Sequence, residues 1–386
     1  MLDFNFFNPT QIVFGQKRLD ELDNLVPAQA KVMIIYGGTA VKKFGVIDRV
    51  KSALKTRKIV EFDKVEPNPK FETLVGAVEV VKAEQVDFLL AVGGGSVMDS
   101  TKFIAVAAKT ESSEYEALLS HGFAGLPSTE ALDLGCVVTL PATGSETNGA
   151  GVITLNGQKA LFISPILYPK FSFLDSELTM TLPKHQVANG VIDAFVHTIE
   201  QYLTFPVGAK VQDRIAEGVL KTLIEDGPVT YRDSSDKQAR ENFMWCATTA
   251  QNGSIGSGVP QDWSTHFIGH ELTTLFGIAH APTLAVVLPS LLRERKDKKR
   301  AKLLQYAERV WNISDSSDDE KITKAIDLTE QFFLSLDTPT TLGAYDIDDN
   351  GIELILANLE KEGMTALSET GDLGLDTVRK ILNMAK

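Results

Sequence analysis

Short apolar runs alternate with longer amphipathic stretches through the first half of the chain. Lys31–Tyr36 (KVMIIY), Phe88–Val92 (FLLAV) and Cys136–Leu140 (CVVTL) lack a polar face, and each stops at glycine or proline; Ile59–Phe62 is a shorter run of the same kind. Helical periodicity follows in Val41–Leu54, Phe71–Glu84 and Ser96–Lys109. Strands apolar on both faces and separated by helices predict a parallel sheet covered on both sides. Phe4–Phe14, aromatic and β-branched with Pro9 as an early break, predicts one or two short strands. From Leu182 the period becomes helical throughout: His185–Leu203, Ala209–Glu225, Lys237–Ser254, the stretch Asp262–Ala281, Ala285–Arg293, Arg300–Val310, Asp318–Leu336, Gly351–Glu362 and Leu375–Ala385. The expected division is an α/β domain over residues 1–181 and an all-helical domain over 182–386.

Composition narrows the partners rather than the fold. A net charge of −13 disfavours general nucleic-acid or anionic-membrane binding. The two cysteines, Cys136 and Cys246, sit among apolar residues and suggest no disulfide framework. The start, MLDFNFFNPTQIVFG, lacks a basic-then-apolar leader pattern, and no apolar run approaches the roughly 18 residues of a membrane span. A cytoplasmic protein is the expectation. The run RERKDKKRAK at Arg293–Lys302 carries seven basic residues against two acidic ones and reads as a solvated connection between helices.

Chemistry gathers in DWSTHFIGHELTTLFGIAHA, which holds three of the six histidines: His266, His270 and His280. His266 and His270 share a helix face, and Gly277 offers a stop before His280. Upstream, VANGVIDAFVHTIEQYL places Asp193 and His197 four apart on another helix. Such pairs are common singly, but several ionisable side chains on apolar helices need partners or a metal, because burying them alone costs several kcal/mol. Two helices aiming a carboxylate and several imidazoles at one point suit a divalent cation.

A second constellation is GGGSVMDSTK at Gly93–Lys102, directly after a strand and opening a helix. Glycines let a ligand approach the backbone, and the helix N-terminus offers free N–H groups, as a pyrophosphate requires. The third glycine of the usual dinucleotide fingerprint is Met98 here. PATGSET follows the next strand, which fits a nucleotide lying across the sheet crevice. The loop Gly37–Lys43 has no acid for a ribose 2′-hydroxyl and two lysines, so NADP(H) is favoured over NAD(H).

With these motifs in order, the chain resembles the iron-containing (group III) alcohol dehydrogenases over its whole length. EPNPKFETL, FLLAVGGGSVMDSTKFIA, VANGVIDAFVHT and GVPQDWSTHFIGHEL are similar to the NADPH-dependent, butanol-dehydrogenase-like branch of broad-range aldehyde reductases. The resemblance implies a dehydroquinate-synthase-like two-domain architecture, with a Rossmann-like dinucleotide-binding domain followed by an all-α metal-binding domain. It implies Asp193, His197, His266 and His280 as ligands of Fe²⁺ or Zn²⁺, with His270 near the reacting centre. Gly94, Gly95 and Ser96 would hold the pyrophosphate, with Asp99 near the nicotinamide. Thr139, Thr143, Asn148 and Lys159 would line the cofactor, and Gly38, Thr39 and Asn68 its adenosine half. NAD-using members carry an Asp near Gly37, which is absent here. The implied reaction interconverts small aldehydes and primary alcohols, in a homodimer. A dehydroquinate-synthase-like lyase and a non-catalytic nucleotide- or metal-binding protein are the alternatives; the lyase would need a basic cluster for a phosphorylated substrate beside the metal motifs, and none is present.

Overall fold

Each run that lacks a polar face becomes a strand of one sheet. The computed structural model describes residues Met1–Lys386 and gives, in the first half, β1 (Gln11–Phe14), α1 (Leu22–Leu25), β2 (Lys31–Ile35), α2 (Ala40–Lys43), α3 (Val46–Ala53), β3 (Lys58–Phe62), α4 (Phe71–Ala83), β4 (Phe88–Gly93) and α5 (Gly95–Ala107). β5 (Asp133–Val138), β6 (Ala150–Leu155), β7 (Gln158–Ile163) and β8 (Phe171–Leu174) complete it. Six strands form a sheet in the order β1-β8-β5-β4-β2-β3, and every pairing is parallel. Val32, Ile34, Leu90, Val92 and Val137 pack on one side with Val46, Ile47 and Val50 of α3. Met33, Ile35, Leu89 and Ala91, one residue out of phase, are equally buried on the other side. Covering both faces this way stabilises the unit by about 1.5–3 kcal/mol for each large side chain fully buried.

Phe4–Phe14 yields one strand, β1, within expectation, and its pairing with β8 begins at Gln11. Three local features depart from expectation. Val41–Leu54 is two helices, since Gly45 adopts φ +70° and breaks the path. A hairpin, β6–β7, escaped the periodicity reading although its turn is Asn156-Gly157, with φ of +50° and +81°. Positive φ at both positions is the type I′ turn that Asn-Gly favours. β8 also escaped, being only four residues without a polar alternation.

The chain divides into two compact units, Phe7–Leu182 and Pro183–Lys386, the latter joined by Met1–Phe6. The second unit is helical: α6 (Lys184–Tyr202), α7 (Lys210–Arg232), α8 (Lys237–Gln251), α9 (Ser264–Phe276), α10 (His280–Glu294), α11 (Arg300–Arg309), α12 (Asp318–Leu334), α13 (Asp349–Lys361) and α14 (Leu375–Met384). α9 stops at Gly277, which has φ +69° and closes the last turn on the Thr273 carbonyl. α10 starts before the expected Ala285 because Pro282 falls in its first turn, where a missing N–H leaves no bond unmade. α12 opens with a capping box between Ser317 and Glu320.

The basic run Arg293–Lys302 does connect α10 and α11, with Lys296, Asp297 and Lys298 exposed, but it is only partly solvated. Arg295, Lys299 and Lys302 are buried, each paired with a carboxylate: Asp372, Asp262 with Glu369, and Asp213 respectively. Distant acids supplied by the fold turn a stretch that reads as surface into part of the interior. No helix is long and apolar enough to cross a membrane.

Candidate metal centre and dinucleotide cradle

α6 presents Asp193, His197 and Glu200 at intervals of four and three residues, so all three lie along one buried face. α9 brings His266 to that face, and the Gly277 stop returns the chain so that His280 opens α10. Asp193 Oδ1 lies 3.5 Å from His280 Nε2, 3.6 Å from His197 Nδ1 and 3.8 Å from His266 Nε2. These spacings are too long for hydrogen bonds. They match the separation of about 3.4 Å between ligand atoms of a tetrahedral ion with bonds near 2.1 Å. One oxygen of Asp193 and one nitrogen each of His266 and His280 lie within 4.8 Å of one another, and His197 stands beside this group of three rather than in it. Its ring stacks on His266 with centroids 4.5 Å apart.

Three of the donor atoms have no protein partner of their own. Asp193 Oδ1, His197 Nδ1 and His266 Nε2 are buried without a hydrogen-bond partner, an expensive state that a bound ion relieves. Burial opposes charge on Asp193, yet the surrounding imidazoles, His197 foremost, hold its carboxyl well below the ordinary range. Burial pushes His197 down to about 3, so its ring is neutral. His266 would be lowered by burial, but the Glu200 carboxylate outweighs this and raises it to about 9. One carboxylate and three imidazoles suit Fe²⁺ or Zn²⁺ alike.

Glu200 is the functional residue that sequence reasoning missed. Its Oε2 bonds His266 Nδ1, and its Oε1 accepts the His266 backbone N–H at 3.2 Å. This orients the ring so that Nε2 faces Asp193. The signal was available, because Glu200 extends the Asp193–His197 face by one turn. Lys299 supports the arrangement from below: its ammonium bonds the Leu203 carbonyl at the end of α6 and pairs with Asp262 at 2.8 Å, while Asp262 Oδ1 accepts the Ser264 N–H that opens α9. The two ligand-bearing helices are thus held by one buried cation. His270 is half-buried, its ring 5.3 Å from His280 and 6.2 Å from His266, outside the group of converging ligand atoms.

In the other unit the six strands of the main sheet are parallel, so the loops after β2, β3, β4 and β5 emerge on one edge. Chain order reverses between β2 and β4, the switch point where open α/β sheets bind ligands. Gly37-Gly38-Thr39 and Gly93–Ser96 flank that crevice. Gly94 caps α5 with no side-chain acceptor, leaving the first N–H groups for a ligand. The glycines also answer to packing: a Cβ on Gly95 would lie 2.6 Å from the Thr143 side chain, and one on Gly93 2.5 Å from Val97. Thr143 is thereby pressed against the cradle, and the Thr139 N–H bonds the Gly93 carbonyl.

Asp99 accepts from Ser145 Oγ at 2.6 Å and from the Val152 N–H at 2.9 Å. Buried Lys102 donates to Ser145, Asn148 and the Ala150 carbonyl, tying PATGSET and the hairpin to α5. Burial pushes both Lys102 and Lys159 down to about 8. Lys159, on β7, bonds Asn68 Oδ1 at 2.5 Å, and Asn68 adopts φ +55°. The structure thus ties Asp99 and Asn148 to the start of α5 through Ser145 and Lys102 and joins Lys159 to Asn68, while Gly38 and Thr39 follow β2 on the same edge of the sheet. One expectation needs correction. Lys42 is not a free positive charge, because Asp63 at the end of β3 pairs with it at 2.8 Å. The acid comes from a neighbouring strand, out of reach of a reading confined to the loop. Gly37 can carry no acid either, since a Cβ there would sit 2.1 Å from the Val65 carbonyl oxygen.

Comparison with known proteins assigns the arrangement. Residues 9–176 match the family model for iron-containing alcohol dehydrogenase, and residues 187–385 match that of the Fe-containing alcohol dehydrogenase family, C-terminal. The chain belongs to the iron-containing alcohol dehydrogenase family. It is 52% identical to the NADPH-dependent aldehyde reductase YqhD of Escherichia coli over 100% of both chains. It is 38% identical to NADP-dependent alcohol dehydrogenase 3 of Entamoeba histolytica, covering 93% and 94%. The crystal structure of Escherichia coli YqhD superposes with a TM-score of 0.97 at 52% identity, covering 100% and 99%. That of NADH-dependent butanol dehydrogenase A from Thermotoga maritima gives 0.93 at 33% identity over the same shares. The iron-containing alcohol dehydrogenase fold, a parallel-sheet unit followed by a helical unit, is therefore the fold of this chain, as its motifs implied.

Proposed function

We propose that the chain is a metal-dependent, NADP(H)-dependent oxidoreductase that interconverts small aldehydes and primary alcohols. The observation that carries this reading is the convergence of unpartnered, buried Asp193 and His266 atoms with His280, in a family member 52% identical to an NADPH-dependent aldehyde reductase. Asp193, His197, His266 and His280 hold the divalent cation, Fe²⁺ or Zn²⁺. A cation held there supplies Lewis acidity toward a carbonyl oxygen, while NADPH supplies hydride. Asp193 is the one anionic ligand, and the Glu200 carboxylate acts from behind the His266 ring. Glu200 fixes the His266 tautomer. His270, close to the group without joining it, delivers the proton that the product oxygen needs. Trp263, whose ring lies 5.6 Å from that of His266, screens the ligands from water.

Residues 1–181 act as the dinucleotide domain and 182–386 as the metal-binding, catalytic domain. Gly94, Gly95 and Ser96 take the pyrophosphate, and Gly38, Thr39 and Asn68 the adenosine half. Thr139, Thr143, Asn148 and Lys159 line the remainder, with Asp99 at the nicotinamide end. We further expect a homodimer working in the cytoplasm. The test is NADPH oxidation with butanal before and after chelation, followed by restoring Fe²⁺ or Zn²⁺. Activity lost on chelation and regained with one ion supports the reading, and activity untouched by complete metal removal refutes it.

A further inference from the structure

We propose that the helical unit carries a second ligand site, for a phosphate-type oxyanion, at the N-terminal end of α7. A cavity of about 280 Å³ opens there, lined by Thr204, by Lys210 and Arg214 of α7, and by Lys302 and Arg309 of α11, with Asp213 the one acid in its wall. None of these residues belongs to the metal centre, and the cavity is separate from the glycine cradle.

Three independent features point to an anion. The first is charge. Lys302 and Asp213 neutralise each other, and Gln305 takes the second Asp213 oxygen at 3.0 Å. Arg214 and Arg309 then share a single carboxylate, Glu217, at 2.6 and 3.0 Å. Two guanidiniums on one carboxylate leave a positive charge over, and Lys210 adds another. Each guanidinium has five N–H donors and spends few of them on Glu217, so forked donors remain for an oxyanion. The second is the helix. α7 runs 23 residues, and its cap is Ala209, which has no side-chain acceptor for the first-turn N–H groups. The Lys210 N–H is taken by the Gly208 carbonyl, but Ala209 and Lys210 both line the cavity, so the positive end of the helix dipole faces it. The third is Thr204, 2% exposed and lining the cavity, whose hydroxyl has no hydrogen-bond partner in the protein. Lining the cavity, this hydroxyl is placed to bond a ligand there. In a chain of net charge −13, such a concentration of positive donors around an unsatisfied hydroxyl is local and directed. The back wall is Gln201, whose amide donates to the His197 and Ala250 carbonyls at 2.7 and 2.8 Å.

The test is calorimetric titration of the metal-loaded protein with inorganic phosphate. NADPH is kept saturating so that the glycine cradle is filled, and ionic strength is fixed with chloride. Phosphate should bind, and Arg214→Gln with Arg309→Gln should weaken it by roughly tenfold or more. Thr204→Val, which keeps the shape and removes the hydroxyl, should weaken it by roughly threefold or more. Lys380→Gln, which removes one positive charge from α14, should leave it unchanged. Glycerol phosphate titrated in parallel distinguishes the source: tighter binding than the free ion marks a phosphorylated metabolite, and the reverse marks phosphate itself. No binding to the unsubstituted protein overturns the proposal, as does affinity that survives the arginine pair or falls equally in Lys380→Gln. Should the arginine pair fail to fold, the Thr204→Val titration decides alone.

Discussion

Replacing Glu200 with glutamine should loosen the metal without dismantling the fold. The carboxylate is 4% exposed and uses both oxygens on His266, one on the ring and one on the backbone N–H. Glutamine has one acceptor oxygen. If it faces the ring, the amide nitrogen opposes the His266 N–H, two donors meet, and one is orphaned at about 1–3 kcal/mol. If it faces the backbone, the ring loses its acceptor and the orientation that aims Nε2 at Asp193. Either way the negative charge that strengthens His266 as a ligand is gone. Partners of this kind are worth roughly 10–100-fold in metal affinity, or about 1.4–2.7 kcal/mol. The assay is competition for the ion against a chelator of known affinity, read as ion content, with circular dichroism as a check on folding. Metal affinity within about twofold of the unsubstituted protein, in a folded variant, would refute the argument that Glu200 positions His266.

Further predictions follow the same geometry. In the metal-free protein His266 is raised to about 9, so near neutral pH its ring holds a proton that an incoming cation must displace. Binding should release that proton and tighten as pH rises from roughly 6.5 to about 9, measurable as a buffer-dependent binding heat; a heat independent of the buffer would count against it. Linkage gives the sign for stability: the raised value stabilises the metal-free fold fully below roughly 6.5, and that contribution is lost as pH rises through about 9, readable in melting temperatures. His270→Ala should retain the metal and slow turnover by about a hundredfold or more, whereas metal loss in that variant would mean that a ligand has been misplaced. Gly37→Asp, which puts in the loop an acid of the kind that bonds a ribose 2′-hydroxyl, should destabilise by about 1–3 kcal/mol rather than confer NADH use, because its Cβ meets the Val65 carbonyl; a stable, NADH-selective variant would contradict this.

What the sequence revealed and what it concealed have a common physical cause. Local rules reached the features that are local. Gly277 ended α9 where a left-handed stop was expected, the glycine loop followed its strand, and Asp193 with His197 lay on one helix face. Partnerships between distant segments stayed hidden. Lys299 reads as surface until Asp262 and Glu369 are folded against it, and Lys42 reads as free until β3 delivers Asp63. The β6–β7 hairpin is marked by its turn residues, Asn156-Gly157, rather than by an apolar period. Glu200 lay between these cases: its spacing was visible, but its role required knowing where His266 would stand.

The central claim is that one divalent cation, held by Asp193 and the histidines, makes this chain an NADPH-dependent aldehyde reductase. Titrating metal-free protein with Fe²⁺ or Zn²⁺, while recording bound ion and butanal-dependent NADPH oxidation together, tests it most directly. The account predicts that both rise in proportion and level off at one ion per chain, and that Asp193→Ala binds no ion tightly and shows no turnover. Full turnover before any ion is bound, or tight binding that survives Asp193→Ala, would contradict it.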